Sequence, residues 1–290
     1  MILFMQDWWM DAVCQGKHWE RIAGMPCLLR QRMGFRYVIM PQQTQIGGTF
    51  LPATASPEEI RTKADEITRE LAARGLDYYY QHFPIGSPLP ELLEKRGFQI
   101  RKHTTYRIED LHDIAAVEQR FSENKRRQIR KAADLQLVEL TPDRFYAFHT
   151  DCLRQQGKQI AYSEAFFHSL DSACAAHNAR QIIALQDAKD NLHAAVFLAF
   201  DAETCYFLIP CYSSAYKNSG AGARIVAEAI RFAAMHSQVF DFEGSMIPGV
   251  ANHYAQFGST PAYFYEVERF YNPLFRLVLP VYQLLTRHKR

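Results

Sequence analysis

Three stretches of this chain carry residue types whose spacing could do chemistry. The first is Pro210-Cys-Tyr-Ser-Ser-Ala-Tyr-Lys-Asn-Ser-Gly-Ala-Gly-Ala223, which follows an apolar strand pattern at Tyr206–Ile209 and leads into a long helical pattern. The first turn of a helix has unpaired backbone N–H groups and the positive end of the helix dipole, a setting that favours a phosphate or pyrophosphate. Gly220 and Gly222 remove side chains that would hold such a ligand off the backbone. The plainer reading of the same glycines is a loop that turns into a helix and binds nothing. The second stretch is Phe240-Asp-Phe-Glu-Gly-Ser-Met-Ile-Pro-Gly249. Strand alternation puts Asp241 and Glu243 on one side and Phe240 and Phe242 on the other. A carboxylate at the end of a strand, just before a glycine, can act as a general base, and it can equally cap the next turn. Tyr254, one helix further on, is a candidate proton donor among 15 tyrosines. The third stretch, Asn124-Lys-Arg-Arg-Gln-Ile-Arg-Lys131, places Lys125, Arg126, Arg127, Arg130 and Lys131 within two helical turns. These cations could hold phosphates or an RNA backbone, or form a solvated helix face.

The elements that must position these residues follow from periodicity and punctuation. Short strands are expected over Trp19–Ala23, Cys27–Arg30 and Arg36–Met40. Ser56-Pro57-Glu58-Glu59 reads as a capping box with proline at the first helical position, and Gly75 closes that helix. A tyrosine-rich strand (Asp77–Phe83), a short helix (Pro88–Lys95) and a strand (Phe98–Ile108) follow. The second half repeats the order. It has a helix at Glu164–His177 and strands at Gln181–Gln186, Leu192–Phe200 and Thr204–Pro210. A long helix (Ser219–Ser237), a strand (Val239–Glu243), a short helix (Val250–Phe257) and a strand (Ala262–Phe270) complete it. Each half thus runs helix, three strands, long helix, strand, short helix, strand, the signature of a duplicated mixed α/β domain joined through a helical segment at Asp113–Ala133. The expected division is residues 1–112 and 113–290.

Composition sets the wider bounds. A length of 290 residues, 48% hydrophobic and 22% charged, fits two globular domains with sizeable cores. A net charge of +2 gives no global field for DNA or another polyanion. The 6 cysteines have no zinc-like spacing and read as buried thiols of a cytoplasmic protein, and the 11 histidines show no paired ligand spacing, so no metal is expected. No GxSxG elbow, HExxH helix or Walker loop is present. The apolar stretch Leu274–Leu285 contains Arg276, Pro280 and Gln283 and falls short of the ~20 residues of a membrane span. It reads as a terminal helix docked on the first domain. The alternative is weak peripheral contact with an anionic membrane through the basic tail at Arg287-His-Lys-Arg290.

This order of elements, with a glycine turn between the fourth strand and the long helix, resembles the GNAT N-acyltransferase fold. In that family a Gln/Arg-x-x-Gly-x-Gly/Ala loop holds the pyrophosphate of acyl-CoA, and Lys217-Asn218-Ser219-Gly220-Ala221-Gly222, followed by Ala223, matches its spacing with lysine in the first position. Two tandem copies resemble the FemAB-like branch, whose best-known members transfer amino acids from aminoacyl-tRNA onto peptidoglycan precursors. The basic helix at Asn124–Ala132, Phe240-Asp-Phe-Glu-Gly-Ser245 and Tyr254-Ala-Gln-Phe-Gly258 resemble segments of that branch in the same order, as do Trp8-Trp9 and Met40-Pro-Gln-Gln-Thr-Gln-Ile-Gly-Gly48. The resemblance implies an α/β (mixed α+β) fold of two tandem GNAT-like domains, each a mostly antiparallel mixed sheet flanked by helices. It implies an acyl-CoA donor, such as acetyl-CoA, in the second domain. The first domain, with Leu51-Pro-Ala-Thr-Ala-Ser-Pro57 in place of a glycine turn, would shape the acceptor pocket, with Gln42, Gln43, Thr44 and Gln45 as polar contacts. The expected activity moves an acyl group onto an amine of a small molecule or cell-envelope precursor, with Glu243 or Asp241 as base and Tyr254 as acid. The alternatives are an aminoacyl-tRNA donor gripped by the basic helix, although the coiled-coil arm of some tRNA-dependent members is lacking, and a catalytically inactive ligand-binding module.

Overall fold

A computed structural model describes residues 2–52, 54–244 and 248–279. The chain forms two compact units, one of Leu3–His103 with residues from Tyr263 onward, the other of Thr104–Ala262.

The first unit contains α1 (Asp7–Cys14), β1 (Trp19–Ile22), β2 (Met25–Arg32), β3 (Phe35–Ile39), α2 (Pro57–Ala73), β4 (Tyr78–Phe83) and α3 (Leu89–Glu94). The capping box at Ser56 is formed on both sides: the Glu59 N–H donates to Ser56 Oγ, and the Ser56 N–H donates to the Glu59 carboxylate. Ala64, Ile67 and Leu71 on α2 then pack on Tyr79 and Phe83 of β4. β1, β2 and β3 form an antiparallel meander, and β3 runs parallel to β4.

The second unit contains α4 (Ile114–Gln119), α5 (Glu123–Lys131), β6 (Gln136–Glu139), α6 (Pro142–Gln155), α7 (Glu164–Ala176), β7 (Arg180–Gln186), β8 (Leu192–Phe200), β9 (Thr204–Tyr212), α8 (Ala221–His236), β10 (Val239–Asp241) and α9 (Pro248–Ala255). Strands β6 to β9 are antiparallel, and β10 runs parallel to β9. The duplicated order is therefore present in both units: in each, a three-strand meander is followed by a long helix and a strand parallel to the last of the three, β4 beside β3 and β10 beside β9. Ala194–Ala199 of β8 are buried on both faces, which explains their unbroken apolar run. Ile225, Val226, Ala229 and Ile230 of α8 pack with Phe207, Phe240 and Phe242 in one core.

The units do not follow a single cut after residue 112. β5 (Gln99–Ile108) and β11 (Thr260–Phe270) each run from one unit into the other. In the first unit β4 pairs antiparallel with the later part of β11, from Tyr265 to Phe270. In the second, β10 pairs with the end of β5, at Arg107 and Ile108. Each parallel core is thus completed by the strand that periodicity would assign to the other half.

Several local expectations need revision. The helical segment Asp113–Ala133 consists of two helices: Ser122 accepts the Lys125 N–H and starts α5 afresh after α4. The strand expected over Val239–Glu243 stops at Asp241, because Glu243 (φ +64°) and Gly244 (φ +72°) turn left-handed. α6 and β6 had no expected counterpart. In the first unit, residues 273–279 are helical, and Phe275 packs on Phe35, Tyr37 and Tyr78. The remainder of the apolar stretch and the basic tail lie outside the described residues. No described helix is long and apolar enough to cross a membrane, and all 6 cysteines are buried and unpaired.

The start of α8 is fixed by a close approach of two backbones. Gly220 is its N-cap at φ +85°, and a Cβ there would lie 2.2 Å from the Gln128 carbonyl oxygen of α5. Gly220→Ala therefore combines left-handed strain with a backbone clash and is expected to cost about 2–4 kcal/mol in urea unfolding. Gly222, whose added Cβ would only touch the Tyr212 ring at 3.6 Å, should tolerate alanine with a change in stability below about 0.5 kcal/mol.

Candidate functional site

The donor-loop candidates and the basic-helix candidates, read as separate features in the sequence, line one cavity of about 620 Å³ in the second unit. Lys217, Asn218, Gly220 and Gly222 form one wall, Lys125, Arg127 and Lys131 of α5 another, and His253 of α9 a third. No side chain caps α8 at Gly220, so its positive end faces a ring of cations. Ser219 Oγ accepts the Ala221 N–H, while the Ala221 and Ala223 side chains are buried in the core. The backbone N–H groups of all three are engaged within the chain, by the Tyr216 carbonyl, Ser219 Oγ and the Gly220 carbonyl in turn. The guanidinium of Arg224 accounts for the fixed distance between the two helices. Its Nη1 donates to the carbonyls of Ala132, Ala133 and Leu135 at 2.5, 3.1 and 2.6 Å, tying α8 to the C-terminal end of α5.

The five basic residues of α5 do not form one surface. Lys125 is buried, with its Nζ 2.8 Å from His253 Nδ1 and over the Phe257 ring. Burial pulls the Lys125 ammonium down to about 8, and burial together with the Lys125 charge pulls the His253 imidazole down to about 4. At neutral pH the ammonium therefore donates to a neutral imidazole. Arg126 reaches back to the Gln119 carbonyl and Arg127 to Asn124 Oδ1, and with Arg130 and Lys131 they are exposed.

The two carboxylates at the end of β10 have different surroundings. Asp241 accepts from Thr105 Oγ1 at 2.5 Å and from the Glu243 N–H at 2.8 Å, with Arg107 Nε 3.5 Å away. It organises the turn. Glu243, in contrast, has a buried Oε1 with no hydrogen-bond partner among the described residues. Burial, reinforced by the Asp241 charge, pushes its carboxyl well above the usual range. Gly244 permits this arrangement, since a Cβ at its φ of +72° would lie 2.6 Å from the Thr104 carbonyl oxygen. Ser245–Ile247 lie outside the described residues. Tyr254 is buried and stacks on Phe242 at 4.4 Å, and burial and then the Glu243 charge raise its phenol to about 12. β10 ends opposite Tyr206, whereas β9 runs on to Tyr212.

Of the candidates in the first unit, Thr44 and Gln45 are buried. Thr44 Oγ1 accepts from Trp9 Nε1 and donates to the Gln42 carbonyl, and the Gln45 carbonyl faces His82 Nδ1 at 3.0 Å. Gln43 sits at φ +55°, and Gln42 is exposed. The sequence reading missed a second cavity of about 620 Å³ in this unit, lined by Tyr78, Tyr80, Arg101 and the buried carboxylates of Glu266 and Glu268. Its signal was the alternation Phe264-x-Glu266-x-Glu268-x-Phe270, which puts two acids on one strand face.

If an anion occupies the α8 cavity, Lys125 contributes only while protonated. Pyrophosphate affinity, measured by titration calorimetry, is expected to fall by up to about tenfold per pH unit above about 8, and Lys125→Met should remove that slope.

Residues 119–254 match the family model described as acetyltransferase (GNAT) domain. Among curated proteins none matches the sequence. Solved structures with a similar fold include FemX (10% identity, TM-score 0.69, covering 96% of this chain and 94% of that one). L-PGS from Bacillus licheniformis is also similar (12% identity, TM-score 0.53, covering 97% and 96%). So is a conserved protein of unknown function from Bacteroides thetaiotaomicron (12% identity, TM-score 0.60, covering 91% and 90%). At these identities the likeness is one of fold. Residues 119–254 thus carry the match to the GNAT acetyltransferase domain, and the chain shares the fold of FemX.

Proposed function

We propose that the chain is an N-acyltransferase that takes its acyl group from acyl-CoA and delivers it to an amine of a small molecule or cell-envelope precursor. The observation that supports this most is the convergence of the glycine N-terminus of α8 with Lys125, Arg127, Lys131 and Lys217 around one cavity. Within the loop Ser219–Ala223 the backbone N–H groups of Gly220 and Gly222 would hold the pyrophosphate oxygens, and the cations would neutralise them. The six buried thiols go with a cytoplasmic setting.

In the proposed reaction the amine nitrogen attacks the thioester carbonyl, forming the C–N bond as the C–S bond breaks. Glu243 takes the amine proton, directly or through a water. Its raised pKa suits that role, because a desolvated carboxylate is a stronger base than one in water. Backbone N–H groups of β9 beyond the end of β10 would stabilise the carbonyl oxygen as it gains charge. Tyr254 would return a proton to the departing thiolate. Asp241 holds the turn and so positions Glu243. The first unit would hold the acceptor, with Gln42 and Gln43 as contacts and with Thr44 and Gln45 shaping the wall behind them.

A second reading keeps the site and changes the donor to aminoacyl-tRNA. It is favoured by the exposure of Arg126 and Arg130, which lie on α5 but are absent from the cavity lining. Those two charges exceed what a pyrophosphate needs.

Glu243→Gln is isosteric and should lower kcat by about 10²–10⁴-fold with any acceptor that the protein turns over. Because the base works only when deprotonated, wild-type activity should rise with pH through a limb well above the ordinary carboxylate range. The variant should lack that limb. Wild-type turnover by Glu243→Gln would remove Glu243 from the mechanism.

A further inference from the structure

Two histidines and a glutamate far apart in the sequence converge on neighbouring strands of the first unit. In the pairing of β11 with β4, Glu266 stands opposite His82. His103, from β5, places its Nε2 3.0 Å from Glu266 Oε2. The Tyr80 hydroxyl lies 3.0 Å from His82 Nε2 and 3.2 Å from the same glutamate oxygen. One potential ligand atom from each of His82, His103 and Glu266 lies within 4.8 Å of the other two.

The surroundings orient these groups. The Gln45 carbonyl can only accept, so His82 Nδ1 carries the proton and the Nε2 lone pair points at the cluster. Phe264 lies against both imidazoles, 5.2 Å from His82 and 5.4 Å from His103. Arg101 engages the other glutamate oxygen at 3.1 Å and Glu268 at 2.9 Å, leaving Oε2 for the cluster. Without a metal, the Tyr80 hydroxyl can donate to His82 Nε2 and His103 Nε2–H to Glu266 Oε2; a cation would replace these shared protons, with His103 presenting its Nε2 lone pair instead. The backing of a ligand imidazole by a backbone carbonyl is the usual outer support of a metal site.

We propose that His82, His103 and Glu266 form a binding site for a zinc-class divalent cation. Two imidazoles and a carboxylate suit zinc and its transition-metal neighbours, and they disfavour magnesium and calcium, which take oxygen ligands. Small side-chain rotations bring the three atoms to the bond lengths of about 2.0–2.2 Å that zinc requires. The Tyr80 oxygen or a water completes the shell on the side of the cavity, which Tyr80 and Glu266 both line. The site is separate from the donor cavity and does not depend on the reaction proposed above.

The test uses the full chain, stripped with a chelator and titrated with Zn²⁺ against a chromophoric competitor, with Mg²⁺ as contrast. The expected result is one equivalent of zinc bound at micromolar affinity or tighter, no magnesium binding, and a higher melting temperature with zinc. Glu266→Gln and His103→Ala should each weaken zinc at least tenfold. His103 is half-exposed, so that variant keeps the test valid if Glu266→Gln fails to fold. His168→Ala, in the exposed group with Asp143 and Glu164, should leave the affinity unchanged. No zinc binding, equal binding by both cluster variants, or loss only in His168→Ala would overturn the proposal.

Discussion

The candidate donor site depends on the contact between Gly220 of α8 and the Gln128 carbonyl of α5. Two helices can come this close only where one residue has no side chain and tolerates positive φ. The contact sets Lys125, Arg127 and Lys131 of α5 beside the N-terminal end of α8. Arg224 reinforces the arrangement with three carbonyl contacts, which also neutralise the negative end of α5. Gly220 and Gly222 thus differ in role despite their matching appearance in the motif. Gly220 serves helix packing, and Gly222 leaves open space beside Tyr212.

The end of β10 shows how one short segment gives two carboxylates different chemistry. Asp241 is held by a hydroxyl, a backbone N–H and a guanidinium, so its energy is tied to the fold. Glu243, two residues on, is carried by a left-handed turn into a half-buried position in which Oε1 is buried with no donor among the described residues. Pairs of acids whose environments diverge in this way are where acid–base roles separate. Strand alternation alone would have treated them as equivalents.

Much of this was legible in the sequence, for identifiable reasons. The capping box at Ser56, the glycine stops and the unbroken apolar run of β8 are local signals, and they mark elements close to where they occur. The exchanged pairing of β5 and β11 is not local. No residue in either strand announces which neighbour it will take, so the division at residue 112 could not anticipate it. The burial of Lys125 was hidden for a similar reason: a run of five cations reads as a solvated face until Phe257 and His253 are brought over one of them. The His82–His103–Glu266 cluster has no sequence spacing at all, because three separate strands build it. The cavity shared by the loop and α5 was legible in its parts and not in their convergence.

The central claim is that the α8 cavity holds the phosphates of acyl-CoA. It is tested most directly by titration calorimetry of the purified chain with acetyl-CoA, beside Gly222→Trp as a folded variant with the cavity blocked. The account predicts saturable binding by the wild type that the variant loses while keeping its melting temperature. Absence of binding by the folded wild type, or equal binding by the variant, would contradict it.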